Sequence, residues 1–124
     1  MRALADTHTL VWALTEPDKL GRHARRALDG GVVASVAILW ELCIKARRPG
    51  ALLEDPVSWW KEMVSGMGIP VLGIGEDHVF ALASLEAIHK DPFDRIMVAQ
   101  AMVEKLPLVT RDGHLSQYGI ETIW

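Results

Sequence analysis

Four acids stand far apart in this chain, and each sits where chemistry could be done: Asp6 in "LADT", Glu41 in "LWELCIK", Asp94 in "DPFDR" and Asp112 in "VTRDG". The stretch "HKDPFDRIMVAQA", residues 89–101, holds two carboxylates at the start of an oily helix. Asp91 precedes Pro92, which keeps it extended and makes it a natural helix cap. Capping therefore explains Asp91. Asp94 is then the third helical residue, in one row with Met97, Val98 and Ala101, an apolar face. A carboxylate on such a face costs several kcal/mol, as an order of magnitude, unless it is paired or bound to a metal. Glu41 poses the same question beside Ala37, Ile38 and Ile44, although Lys45 offers it an ordinary helical ion pair.

The elements that must position these acids alternate. "RALADT" (2–7), "VVAS" (32–35), "IPVLGI" (69–74) and "LPLVT" (106–110) read as strands, with "TIW" (122–124) as a weaker fifth. Helices are expected over 8–15, 21–31, 36–48, 55–67 and 76–88, and from the quoted stretch to about Lys105. Asp55 caps the 55–67 helix, with Pro56 at its first position. Pro70 cannot donate to a ladder, so its strand belongs at an edge or begins there. Near-continuous apolar strands alternating with helices mean a parallel sheet covered on both faces.

In such sheets ligands bind beyond the carboxyl ends of the strands. Asp6 closes the first strand and Asp112 follows the fourth, so both lie at that edge. The helix carrying Glu41 starts there, and helical side chains lean back toward the N-terminus. The helix carrying Asp94 runs antiparallel to the fourth strand, so its first turn lies there too. Four carboxylates crowded together repel one another. A hard divalent cation resolves the conflict, and an all-oxygen donor set favours Mg2+ or Mn2+. The five histidines and Cys43 show no zinc spacing.

Composition sets the remaining bounds. At 124 residues, half of them apolar, the chain is one domain's worth (1–124) with enough oil for a core. A net charge of -3 advertises no polyanionic partner. A single cysteine forms no internal disulfide and suits a reducing compartment. Its default reading inside "VVASVAILWELCIKA" is a small buried hydrophobe. No stretch is long and apolar enough to span a bilayer, and "MRALADT" lacks a signal peptide's apolar run. A soluble cytoplasmic protein is expected. Trp59 and Trp60 face different parts of one helix surface, so either core packing or one exposed partner contact is open to them.

The blocks "LADTHTLVWAL" (4–14), "SVAILWELCIKARRPGAL" (35–52), "HKDPFDRIMVAQA" (89–101) and "LVTRDGHLSQYGIETIW" (108–124) together resemble the PIN-domain ribonucleases, specifically the VapC toxins of toxin–antitoxin pairs. They span nearly the whole chain in that family's order. The resemblance implies a three-layer α/β/α sandwich around a parallel sheet of four to five strands. It carries the family's metal-binding, catalytic quartet onto Asp6, Glu41, Asp94 and Asp112, the acids the edge argument selects, and an accessory hydroxyl onto Thr110. Ser35 is a candidate second hydroxyl, and with it a candidate substrate contact, and an equally good helix cap. The resemblance also implies Mg2+- or Mn2+-dependent endonucleolytic cleavage of RNA, a homodimer and a small VapB-like antitoxin. Lys90 stands where arginine is common, and Ala5 is smaller than usual before the first acid.

Attack by water predicts 5′-phosphate and 3′-hydroxyl ends. Thr110 is expected to orient Asp112 or that water. Arg95 and Arg111, beside two of the acids, are candidate phosphate contacts, with "KARR" (45–48) as a further basic cluster. For "GRHARR" (21–26) a solvated helix face is the better reading. The histidines near the acids, His8, His89 and His114, are expected in structural or supporting roles. Two rivals remain. A phosphoacceptor receiver domain needs a second acid after the first strand, where this chain has "ADTH". A catalytically silent binding module would keep the fold without cutting RNA.

Overall fold

The first strand, β1 (Ala3–Ala5), is buried throughout, and it forms the middle of a five-stranded parallel sheet of order β3-β2-β1-β4-β5. The computed structural model describes residues 2–124. The other strands are β2 (Val32–Ser35), β3 (Val71–Leu72), β4 (Leu108–Val109) and β5 (Thr122–Ile123). Ala5 pairs with Ala34 on one side and Val109 on the other, so the ends of the three central strands are level. Pro70 lends β2 only its carbonyl, accepting from the Ala34 N–H, and the strand it introduces lies at the edge as its chemistry requires.

Helices α1 (Thr7–Thr15), α2 (Arg22–Asp29), α3 (Val36–Lys45), α4 (Pro56–Trp59), α5 (Glu76–Ala83) and α6 (Pro92–Glu104) cover the sheet. Successive strand residues point to opposite faces. Leu4 and Leu108 join a large core with Leu10 of α1, Ile38 and Leu42 of α3 and Met97 of α6. Ala3 and Val109 meet Ala24 of α2 on the other face. The result is the three-layer sandwich expected. Among the described residues no helix is long and apolar enough to cross a membrane.

Several boundaries differ from expectation. The helix expected over 76–88 stops at Ala83, where the Ser84 hydroxyl turns back to the Phe80 carbonyl. The helix expected over 55–67 is capped by Asp55 but continues from α4 as a π-helical segment, Trp60–Ser65. Helix α3 ends at Lys45, three residues short. It buries Ala37, Ile38, Glu41 and Leu42, a stripe that excludes its neighbours. Cys43 is therefore exposed rather than buried, and Ile44 does not flank Glu41 in the core. Trp60 is buried and Trp59 packs against the core, whereas the exposed indole is Trp40, at 55%, set edge-on to Phe93.

Candidate metal centre at the carboxyl edge

Each acid is placed by a local rule. Asp6 ends β1 and caps α1: its Oδ1 accepts the Thr9 N–H at 3.0 Å. Its other oxygen, Oδ2, accepts the Thr110 hydroxyl at 2.6 Å. The same Thr110 oxygen accepts the Asp112 N–H at 3.0 Å. Thr110 thus ties the end of β1 to the turn after β4, and it orients the Asp6 carboxylate rather than that of Asp112. Asp112 turns Oδ1 to the His114 N–H and leaves Oδ2 facing the cleft.

Glu41 is 7% exposed. Its oxygens accept the Thr7 hydroxyl at 2.5 Å and the Lys45 ammonium at 2.7 Å. Both the helical ion pair and the turn back toward the sheet edge are therefore present. Thr7 had no expected role, although a hydroxyl directly after Asp6 was the available signal.

Asp91 caps α6 through the N–H groups of Phe93 and Asp94. Asp94 follows on the inner side of the first turn. Burial, then the charges of Asp91 and Asp6, push its carboxyl up to about 7; Glu41 adds to the rise and His89 partly opposes it. The charges of Asp6 and Glu41 therefore reach the Asp94 carboxyl.

His89 stands between Asp94 and Asp112. Its Nε2 lies 3.2 Å from Asp112 Oδ2 and 3.6 Å from Asp94 Oδ2. The three groups offer donor atoms within 4.8 Å of one another, a spacing that suits a cation. The imidazole is nevertheless the wrong ligand. Its Nδ1 accepts the Asp91 N–H at 3.1 Å, so the ring proton belongs on Nε2 and points at the carboxylates. His89 is a hydrogen-bond donor to Asp112, and the donor set left for a cation is oxygen. Such a set fits a hard divalent ion.

Two of the three candidate substrate contacts are placed otherwise. Arg95 turns inward and donates to the Glu86 carbonyl at 2.8 Å and the Tyr118 hydroxyl at 3.2 Å, bracing the loop that carries His89. The Tyr118 hydroxyl also accepts the His89 N–H. Ser35 is fully buried, capping α3 through the Ala37 N–H and donating to Gln100 at 2.6 Å, so it meets no substrate. Arg111 is exposed, with no ion-pair partner among the described residues.

The PIN domain profile matches residues 3–121. The chain is 30% identical to ribonuclease VapC22 of Mycobacterium tuberculosis over 118 residues, covering 93% of this chain and 90% of that protein. Its fold is similar to a chain of VapBC2 from Rickettsia felis, solved bound to a promoter DNA fragment (TM-score 0.72, 15% identity, 98% of this chain and 97% of that one). DNA-bound VapBC from Salmonella typhimurium is similar to the same degree (TM-score 0.72, 18% identity, 98% and 96%).

Proposed function

Since this chain belongs to the PIN-domain family, we propose that it is a divalent-metal-dependent endoribonuclease, the toxin of a toxin–antitoxin pair. The observation that carries the reading is the gathering of Asp6, Glu41, Asp94 and Asp112 at one sheet edge, with Asp94 pushed up to about 7 by its surroundings.

Asp6 and Asp94 would hold Mg2+ or Mn2+ most directly, with Glu41 and Asp112 completing the oxygen set. A divalent ion held there supplies positive charge at the attacked phosphate and lowers the pKa of water. The side chains do the rest. Thr110 fixes the Asp6 carboxylate. Thr7 and Lys45 hold Glu41 pointing into the pocket, and Lys45 offsets part of its charge. His89 donates to Asp112, keeping that carboxylate aimed at the cleft. Arg111 stands free to meet a phosphate. The same reading assigns a VapB-like antitoxin as partner, a homodimer as the assembly and residues 1–124 to one PIN unit.

Labelled RNA incubated with the wild type should be cut with Mg2+ or Mn2+ and left intact with chelator, and Asp94→Asn should not cut it. The ends should be 5′-phosphate and 3′-hydroxyl. A 2′,3′-cyclic phosphate, or cutting that survives both chelator and Asp94→Asn, would overturn the assignment.

A further inference from the structure

Beside the acidic pocket lies a cavity lined by Trp12, Lys19, Arg111 and Trp124, two indoles and two cations with no acidic side chain. We propose that it is a stacking subsite for one nucleotide of single-stranded RNA flanking the cleaved bond. The proposal rests on the ribonuclease reading and names how that substrate is held.

Placement comes first. Asp6 caps the helix that carries Trp12, six residues on, or about 9 Å along the axis. Arg111 lies between Thr110 and Asp112 in sequence. The cavity is thus tethered on both sides to residues of the acidic site. Trp12 is the second observation. It is half-buried, yet it belongs to neither apolar core among the described residues. Its contacts are the His8 ring at 5.3 Å, the Trp124 ring at 6.2 Å and the Lys19 ammonium at 5.5 Å. Trp124 packs against the smaller core, so the fold fixes one wall of the cavity, and among the described residues Trp12 reaches that core only through it.

The two indoles meet edge to face at 63° in a corner, and the Lys19 ammonium lies over the Trp12 ring, so a base stacking on Trp12 takes the place of that ammonium. The corner is preformed. A Cβ at Gly21 would sit 2.7 Å from the Trp124 backbone carbon, 2.7 Å from Cδ1 and 2.8 Å from Nε1, so the glycine is what lets Trp124, backbone and indole together, lie there. Charge completes the argument. An acidic pocket in a chain of net charge -3 repels RNA, and phosphates need cations beside it. Arg111 is unpaired among the described residues. Lys19 pairs with Glu16 at 2.6 Å, but both are more than half exposed, and such a pair yields to a phosphate at little cost.

The test uses the full chain carrying Asp94→Asn, so that bound RNA is not cut. Binding of a fluorescein-labelled adenosine 12-mer is compared with that of an abasic 12-mer of equal charge. Trp12→Ala should weaken the adenosine 12-mer by roughly 5- to 150-fold and leave the abasic one unchanged, with Trp12→Phe recovering most of the loss. Gly21→Ala, which displaces Trp124 without changing charge, should act in the same sense. Arg111→Gln should weaken both oligomers and reduce the salt slope by about one. Equal binding of the adenosine 12-mer by Trp12→Ala and its parent would overturn the subsite and leave the corner to a protein partner. Wild-type cleavage, measured separately, reports on the nuclease reading alone. An inactive chain whose binding still depends on Trp12 would defeat the nuclease and leave Trp12 as a stacking contact for bound RNA alone.

Discussion

Asp94→Asn should make the metal-free protein more stable, by a margin that opens above about pH 4 and is complete above about pH 7. Burial, Asp91 and Asp6 push the Asp94 carboxyl up to about 7, against about 3.9 for an ordinary aspartate. Between these values the folded chain holds a proton that the unfolded chain has released. The sign follows: stability is fully present below about pH 4 and is lost as the pH rises through about 7. Holding the charged form at pH 8 costs at most about 4 kcal/mol. The side chain is 26% exposed, so water and relaxation reduce the cost to about 1–2 kcal/mol. Asparagine keeps the shape and removes the charge. At roughly 4 °C per kcal/mol for a chain of this size, Asp94→Asn should raise the melting temperature by about 4–8 °C at pH 8. Near pH 4 the two proteins should melt together. The assay is thermal unfolding by circular dichroism with chelator, from pH 4 to 8.5. Adding Mn2+ at pH 8 should stabilise the wild type, because only the folded state holds the ion, and should do little for Asp94→Asn. A variant that melts below the wild type at pH 8 in chelator, or by a margin independent of pH, would show that Asp94 is not held against its neighbours' charge.

Thr110→Val removes the donor to Asp6 and the acceptor of the Asp112 N–H, leaving a part-buried N–H unpaired. It should cost about 1–3 kcal/mol in urea unfolding and lower cleavage, and full activity would show that Asp6 needs no orienting hydroxyl. Lys105 ends α6 with φ of 56°, a left-handed conformation that glycine adopts without strain. Lys105→Gly should stabilise the fold by about 1 kcal/mol with cleavage unchanged, and a loss of stability would contradict the strain argument.

What could be read from the sequence was what local rules write. Four apolar runs, the caps at Asp55 and Asp91, and the proline before β3 fix the sheet's elements and its edge, because each signal acts within a few residues. The acids could be placed at one edge because a parallel sheet sends every strand end the same way. The rest depended on side chains meeting across the fold. Cys43 lies in an oily run, but the stripe that α3 buries runs through Ala37, Ile38, Glu41 and Leu42 and leaves Cys43 and Ile44 outside it. Arg95 looked free beside Asp94 because its partners, the Glu86 carbonyl and the Tyr118 hydroxyl, come from other segments. His89 makes the point most sharply. Its position beside Asp91 was plain in "HKDP", yet its role turns on which ring nitrogen holds the proton. One backbone N–H, that of Asp91, takes the Nδ1 lone pair and leaves Nε2 a donor. The residue that caps the Asp94 helix therefore also sets the tautomer of the imidazole facing Asp94. Capping explains why Asp91 stands before the proline, but it does not exhaust what Asp91 does: the same residue keeps a nitrogen ligand out of an oxygen site.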